Sequence, residues 1–312
     1  MKFWGGAAMV LGLAFLATLV LENEYYFFAG YVVLQFVVLA TAWNILGGYA
    51  GYVNFGTAAF VGVGAYTGAF IYRTLGFPLV LQIPTAALIG ALLGLGVGLL
   101  TLRLRGIFFS IATIAMTIIL ETFVVNWRYM GGATGLQLLR PEPLPPFESY
   151  MHMLFVLAAL LAIVAVATAR YIERSWIGRG LRAIRDSEDA AEGSGVPTLK
   201  LKLLACAVSG ALMAAGGAPL AMYLSFVEPA SAFNLNYSVS ALAMSMIGGM
   251  SHWIGPVLGA LLLGITQQVV TVTISSELNV LVVGVLLVVF VVGAPDGIVG
   301  LARKLWPRSS SR

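Results

Sequence analysis

YIERSWIGRGLRAIRDSEDAAEGSGVPTLKLK, residues 171–202, is a charged island between two long apolar runs. It sets Arg174, Arg179, Arg182, Arg185, Lys200 and Lys202 against Glu173, Asp186, Glu188, Asp189 and Glu192. The flanking runs, 151–171 and 203–223, are each long enough to cross a bilayer as a helix, which takes about 20 residues. A chain that gathers its charge in one internal loop between such runs presents that loop to a soluble partner, or uses its charges only to keep the loop out of the membrane.

The remaining sequence has the same character. The 312 residues are 60% hydrophobic and 10% charged, with a mean hydropathy of +0.96, more apolar surface than a soluble domain of this size can hide. The apolar runs are too long and too little alternating for barrel strands. The expectation is an all-α polytopic transmembrane bundle forming one domain over 1–312. Its spans are predicted near 3–21, 29–47, 53–72, 83–102, 106–127, 151–171, 203–223, 237–250, 254–274 and 279–294. The first run resembles a signal sequence, but no small-x-small cleavage site precedes Glu22, so it is read as a retained helix.

Ten spans with both termini inside place 14 of the 17 basic residues on the side of 172–202 and of the basic tail 303–312. Arg73, Arg128 and Arg140 fall on the other side. That asymmetry makes the 172–202 side cytoplasmic. It also accounts for the net charge of +4 without any nucleic-acid partner. Cys206 is the only cysteine and sits in an apolar run, so it is read as a small buried hydrophobe.

Two runs interrupt the helical pattern. NILGGYAGYVNFGTAAFVGVGAY, 44–66, and SMIGGMSHWIGPVLGALLLGI, 245–265, each place a Gly-Gly pair before a break and then a glycine-spaced helix. If both are re-entrant, eight spans remain. Broken segments in two halves of a transporter point to a translocation path, although small residues also serve plain helix packing. Near the first break, Asn44, Asn54 and Thr57 are candidate path residues. Glu121, in IATIAMTIILETFVVNW, is the clearest carboxylate within a span and a fourth candidate. Asn and Gln can equally bond neighbouring helices, and Glu121 is near enough to Trp127 to reach the interface.

No catalytic constellation is present. His152 and His252 have no metal-ligand neighbour at helical spacing, and the phosphate-loop pattern GxxxxGK[ST] does not occur. GGATG at 131–135 is read as a turn. Neither a metal nor a cofactor of its own is expected, and the chain is not read as an enzyme. Within the island, Ile177, Leu181 and Ile184 form an apolar stripe at i, i+4, i+7. Arg179, Arg182, Arg185 and Asp186 lie beside it. A short helix of this kind can seat its stripe in a partner's groove while its charges fix orientation. On that reading, aspartates at 181 and 184 would uncouple that partner and leave insertion intact.

WIGRGLRAIRDSEDAAEGSGVPTLKLKLLACAVSGALMAAGGAPLA resembles the cytoplasmic loop and following helix of branched-chain amino-acid ABC transporter permeases. WNILGGYAGYVNFGTAAFVGVGAYTGA, LRLRGIFFSIATIAMTI, NWRYMGGATGL, SMIGGMSHWIGPVLGALLL and PDGIVGL fit the same family in order along the chain. The LRLRG turn and GGATGL resemble the Liv M-type member of the permease pair. The resemblance implies a bacterial inner-membrane protein working with a second homologous permease and two cytoplasmic ATPases that bind the ATP. It also implies an extracytoplasmic solute-binding protein, docking roughly on 128–150 and 224–236. The solute it implies is a branched-chain or other small neutral amino acid, with urea, amides or aromatic acids as the alternative within the family. Relatives often carry an acidic residue near the position of Ile118, where this chain reads TIAMTI; Glu121 is the nearest carboxylate. An ion-coupled secondary transporter would call for more buried carboxylates near the midplane.

Overall fold

The computed structural model describes residues 2–21, 23–101, 104, 106–273, 278–294 and 296–305. Most of the LRLRG turn, the connection 274–277, Pro295 and the tail 306–312 lie outside the described residues, as do the expectations placed on them.

The chain begins with α1 (Lys2–Val20) and α2 (Glu24–Ala50). A non-helical stretch, 51–56, then leads into α3 (Thr57–Leu75). Next come α4 (Leu79–Thr101) and α5 (Ile107–Val125). Two single turns of 3-10 helix at Arg128–Met130 and Gly132–Thr134 fold the GGATG stretch. Strand β1 (Leu136–Gln137) follows. Helix α6 (Tyr150–Arg174) runs back to the charged island, which holds α7 (Trp176–Asp186) and α8 (Glu188–Gly193). After it come α9 (Thr198–Gly217), α10 (Leu220–Leu224), β2 (Phe226–Val227) and α11 (Pro229–Ala232). The chain continues through α12 (Asn236–Gly248), α13 (Ile254–Thr273), α14 (Leu278–Gly293) and α15 (Gly297–Leu305).

Seven helices among the described residues are long and apolar enough to cross a membrane: α1, α2, α4, α5, α6, α13 and the run Thr198–Leu224 that joins α9 to α10. The chain is thus a polytopic helical bundle. Of the ten expected spans, the remaining three correspond to α3, α12 and α14. Helix α3 begins at Thr57, not 53, because 51–56 is non-helical. Helix α12 has 13 residues, too few to cross alone.

Tertiary contacts give each helix its direction. At the face opposite the island, Asn23 caps α2 through the Tyr25 amide at 3.0 Å, and Ser149 donates to Glu24 at 2.6 Å, tying the starts of α2 and α6. On the same face β1 pairs antiparallel with β2, Leu136 opposite Val227. The Arg140 guanidinium donates to the Met222 and Tyr223 carbonyls at 3.0 and 2.6 Å. The loops after α5 and α10 are therefore one unit.

The core lies between α2, α3, α9, α10 and α12, with Trp43, Phe60, Met213, Tyr223 and Phe233 buried in it. Helices α12 and α13 cross at glycines: a Cβ on Gly248 would lie 1.8 Å from the Gly255 carbonyl oxygen, and one on Gly259 as close to that of Met244. Only hydrogen fits there, so the two backbones touch.

The N-termini of α3 and α12 meet inside the bundle, where Ser238 accepts the Ala58 amide. Asn54 sits beside Trp43, seven residues before the end of α2 and so roughly 10 Å inward at 1.5 Å per residue. Tyr237, at the start of α12, faces Phe36 at the middle of α2, with ring centroids 6.3 Å apart. From this meeting point α3 runs to the opposite face, where Tyr72 donates to the Leu139 carbonyl at 3.0 Å. Helix α12 runs to the island face.

Candidate functional site

The island is a helix pair clamped onto the end of α2. Ser175 turns α6 into α7, its amide donating to the Tyr171 and Ile172 carbonyls at 3.1 Å and its hydroxyl to Ile172 at 2.8 Å. The apolar stripe faces inward. Leu181 is 0% and Ile184 3% exposed, with Ile177 partly buried, against Ile45, Leu46, Tyr49, Ile172 and Leu201. The expectation that this stripe fills a partner's groove is corrected: it holds α7 on the chain's own body. The period marks an apolar face without naming what covers it. Arg179, Arg185 and Asp186 are exposed, and Arg182 is half-buried with its guanidinium 3.3 Å from the Glu173 carbonyl.

Polar contacts fasten α7 and α8 to the first break. Gly51 ends α2 in the left-handed region at φ +77°, and a Cβ there would press on Arg185 Cγ at 2.8 Å. Arg185 donates to the Gly48 carbonyl at 3.1 Å, placing its charge at the negative end of the α2 dipole. One residue past Gly51, the Tyr52 hydroxyl donates to Glu188 Oε2. Glu188 Oε1 pairs with Lys202 Nζ at 2.6 Å, and Lys202 also donates to the Tyr52 oxygen at 3.2 Å. Lys202 is 3% exposed. The ion pair offsets part of the desolvation of so buried a charge.

The backbone groups of 53–55 have no helical partners, and side chains from three helices satisfy several of them. Trp43 Nε1 donates to the Asn54 carbonyl at 2.7 Å. Ser110 of α5 donates to Val53 at 2.8 Å, and Thr113 accepts the Phe55 amide at 3.1 Å. Ser238 of α12 donates to the Phe55 carbonyl at 2.6 Å and accepts the Ala58 amide at 3.0 Å. Below this segment lies a cavity of 430 Å³ lined by Gly51, Tyr52, Val53, Ser110, Arg185 and Glu188 among others.

The second break, 249–253, is tied to the same place. Glu173, at the end of α6, accepts the Trp253 amide at 2.6 Å and the Tyr49 hydroxyl at 3.4 Å, with His252 Nε2 3.8 Å from its other oxygen. Asn44 donates to the Met250 carbonyl at 3.2 Å.

The expected path residues separate. Asn44, Asn54 and Thr57 are buried together around the first break. Asn44 braces one break against the other, and Asn54 accepts the Gly56 amide at 2.7 Å. Asn44 therefore bonds one segment to another in this conformation, while the Asn54 side chain makes a local turn within the first break. The Thr57 hydroxyl is buried with no partner among the described residues. Glu121 stands apart, half-buried on α5 two turns beyond Thr113. Tyr52, Ser110, Thr113, Ser238 and the Glu188–Lys202 pair were not singled out by sequence. Only the charge of the last two offered a signal.

Residues 25–291 match the family described as branched-chain amino acid transport system, permease component. The high-affinity branched-chain amino acid permease protein LivM of Salmonella typhimurium is 26% identical over 86% of this chain and 68% of its own length, and that of Escherichia coli equally so. A probable LivH permease of Methanocaldococcus jannaschii is 23% identical over 80% of this chain and 83% of its own. No solved structure matches the chain significantly. With the family match spanning nearly all the helices that build both breaks and the island, the chain belongs to the branched-chain amino acid ABC transport permease family and is of the LivM type.

Proposed function

We propose that this protein is the LivM-type membrane subunit of a bacterial ABC importer, moving branched-chain or other small neutral amino acids across the inner membrane. The island face is cytoplasmic, both termini lie on that side, and the chain makes ten passes of which α3 and α12 are partial. Two ATPases engage the exposed face of α7 and α8, with Arg179, Arg185 and Asp186 setting the register. A binding protein delivers solute to the β1–β2 unit opposite, and a second permease completes the path. The basis for partners and solute is family membership and the names of the relatives.

One observation carries the mechanism: the loop that would meet the motor is bonded to both helix breaks. Displacing α7 and α8 pulls on Tyr52 through Glu188 and Lys202, and on α2 through Arg185. The 51–56 segment then parts from Ser110, Thr113 and Ser238. Its freed backbone groups and Thr57 offer hydrogen bonds to a zwitterion that an oily pore would reject. The cavity beneath Tyr52 is the exit side. Motor binding drives the change by favouring one state of the permease over the other.

The test is reconstitution with the partner permease, ATPases and binding protein. Labelled leucine should accumulate with ATP and be unaffected by an uncoupler. Uptake without ATP that an uncoupler abolishes would overturn the reading.

A further inference from the structure

Helix α1 stands off from the bundle. Between it and α2, α6 and α13 lies a cleft of 600 Å³, lined by Ala7, Val10, Leu34, Ala162, Val166 and Val257 among others. Gly6 also lines it, and a Cβ added there would meet nothing within 4 Å. None of the described residues fills the cleft, and a crevice lined mainly by apolar side chains within a membrane is wetted by hydrocarbon, not water.

At the island face the cleft opens into a second cavity of 360 Å³ that shares Phe3 and Arg170 with it and adds Trp4, Tyr171, Arg174 and Ser175. Arg170 and Arg174 are four apart on α6 and therefore on one helix face. The Arg170 guanidinium sits over the Phe3 ring at 4.3 Å and the Trp253 ring at 5.4 Å. Neither arginine has a carboxylate within ion-pairing distance among the described residues. Trp4 and Tyr171 are both largely exposed beside them, the residue types that lie at headgroup depth.

We infer that this is a binding site for an anionic phospholipid, with one acyl chain in the α1–α6 cleft and the phosphate bridging Arg170 and Arg174. Charge selects the occupant. A neutral lipid would fill the cleft but leave two cations without a counter-ion, while an apolar helix of another subunit would fill it and meet them with nothing. The lipid joins α1 to a body it otherwise touches mainly through α6.

The test uses the assembled transporter in nanodiscs of phosphatidylcholine, with and without phosphatidylglycerol. Native mass spectrometry should find phosphatidylglycerol retained on the permease, and its presence should raise the melting temperature. Arg170→Gln with Arg174→Gln should lose that preference, at roughly fivefold per surface cation, and lysines at both positions should keep it. Val10→Trp, which fills the cleft from the exposed helix, should displace the lipid with both arginines intact. Equal retention of the two lipids, or a preference untouched by both the arginine and the Val10 variants, would overturn the site. So would a cysteine at Val10 that cross-links to the partner permease, since protein would then occupy the cleft.

Discussion

Lys202 Nζ lies 2.6 Å from Glu188 Oε1, joining the N-terminal part of α9 to the island helix α8. The same carboxylate holds the Tyr52 hydroxyl through its other oxygen. One ion pair thus fixes a loop, a transmembrane helix and a break in a second transmembrane helix.

Removing one member deprives the other buried charge of this ion pair. Lys202→Met or Glu188→Gln should each cost about 3–5 kcal/mol, read as a lowered melting temperature of the purified permease. The double variant should recover part of that loss. Tyr52→Phe keeps the ion pair and should fold nearly normally, yet lower uptake per ATP hydrolysed. Unchanged coupling in Tyr52→Phe would remove this contact from the mechanism.

Because the stripe is internal, Leu181→Asp with Ile184→Asp should prevent stable folding. Even Leu181→Ala should cost about 2–5 kcal/mol. Arg179→Glu and Asp186→Lys, on the exposed face, should leave stability within about 0.5 kcal/mol and reduce ATPase association. Pull-down of the ATPases on each purified variant separates the two faces of α7.

Ser238→Ala strips the Phe55 carbonyl and the Ala58 amide of their shared partner. Each buried orphan costs about 1–3 kcal/mol, so expression and uptake should fall together. Ser238→Thr keeps the hydroxyl and should restore both. Hydrogen exchange at Ala58 should be slow in the native protein and accelerated in the alanine variant.

Sidedness can be read with single cysteines, because the native Cys206 is buried. Leu138 is unsuitable at 6% exposed, whereas its neighbour Leu139 is 80% exposed. A cysteine at 139 should react with an impermeant thiol reagent added outside, and one at the exposed Ser194 only after the membrane is opened. The reverse pattern would place the island outside.

The long apolar runs and both breaks were legible in the sequence, since length and Gly-Gly pairs report directly on membrane crossing and helix interruption. Boundaries drifted where polar residues belong to helices: α2 begins at Glu24, five residues before the apolar pattern, and α9 begins at Thr198 with Lys202 already inside it. The amphipathic loop helix was legible as a pattern, but its inward direction was not, because periodicity is blind to which body covers a face. Ser110 and Ser238 were invisible for a different reason. Their partners are backbone atoms of a non-helical segment, 57 and 183 residues distant, and a serine in an apolar run carries no mark of so remote an acceptor.

That distance sets an order of events during synthesis. The 51–56 stretch emerges from the ribosome early, yet the hydroxyl that bonds both Phe55 and Ala58 arrives only with α12, after some three-quarters of the chain has been made. Until then Phe55 and Ala58 cannot take their final depth without leaving bare peptide groups in lipid. The first broken helix is thus completed late, once α12 has been made.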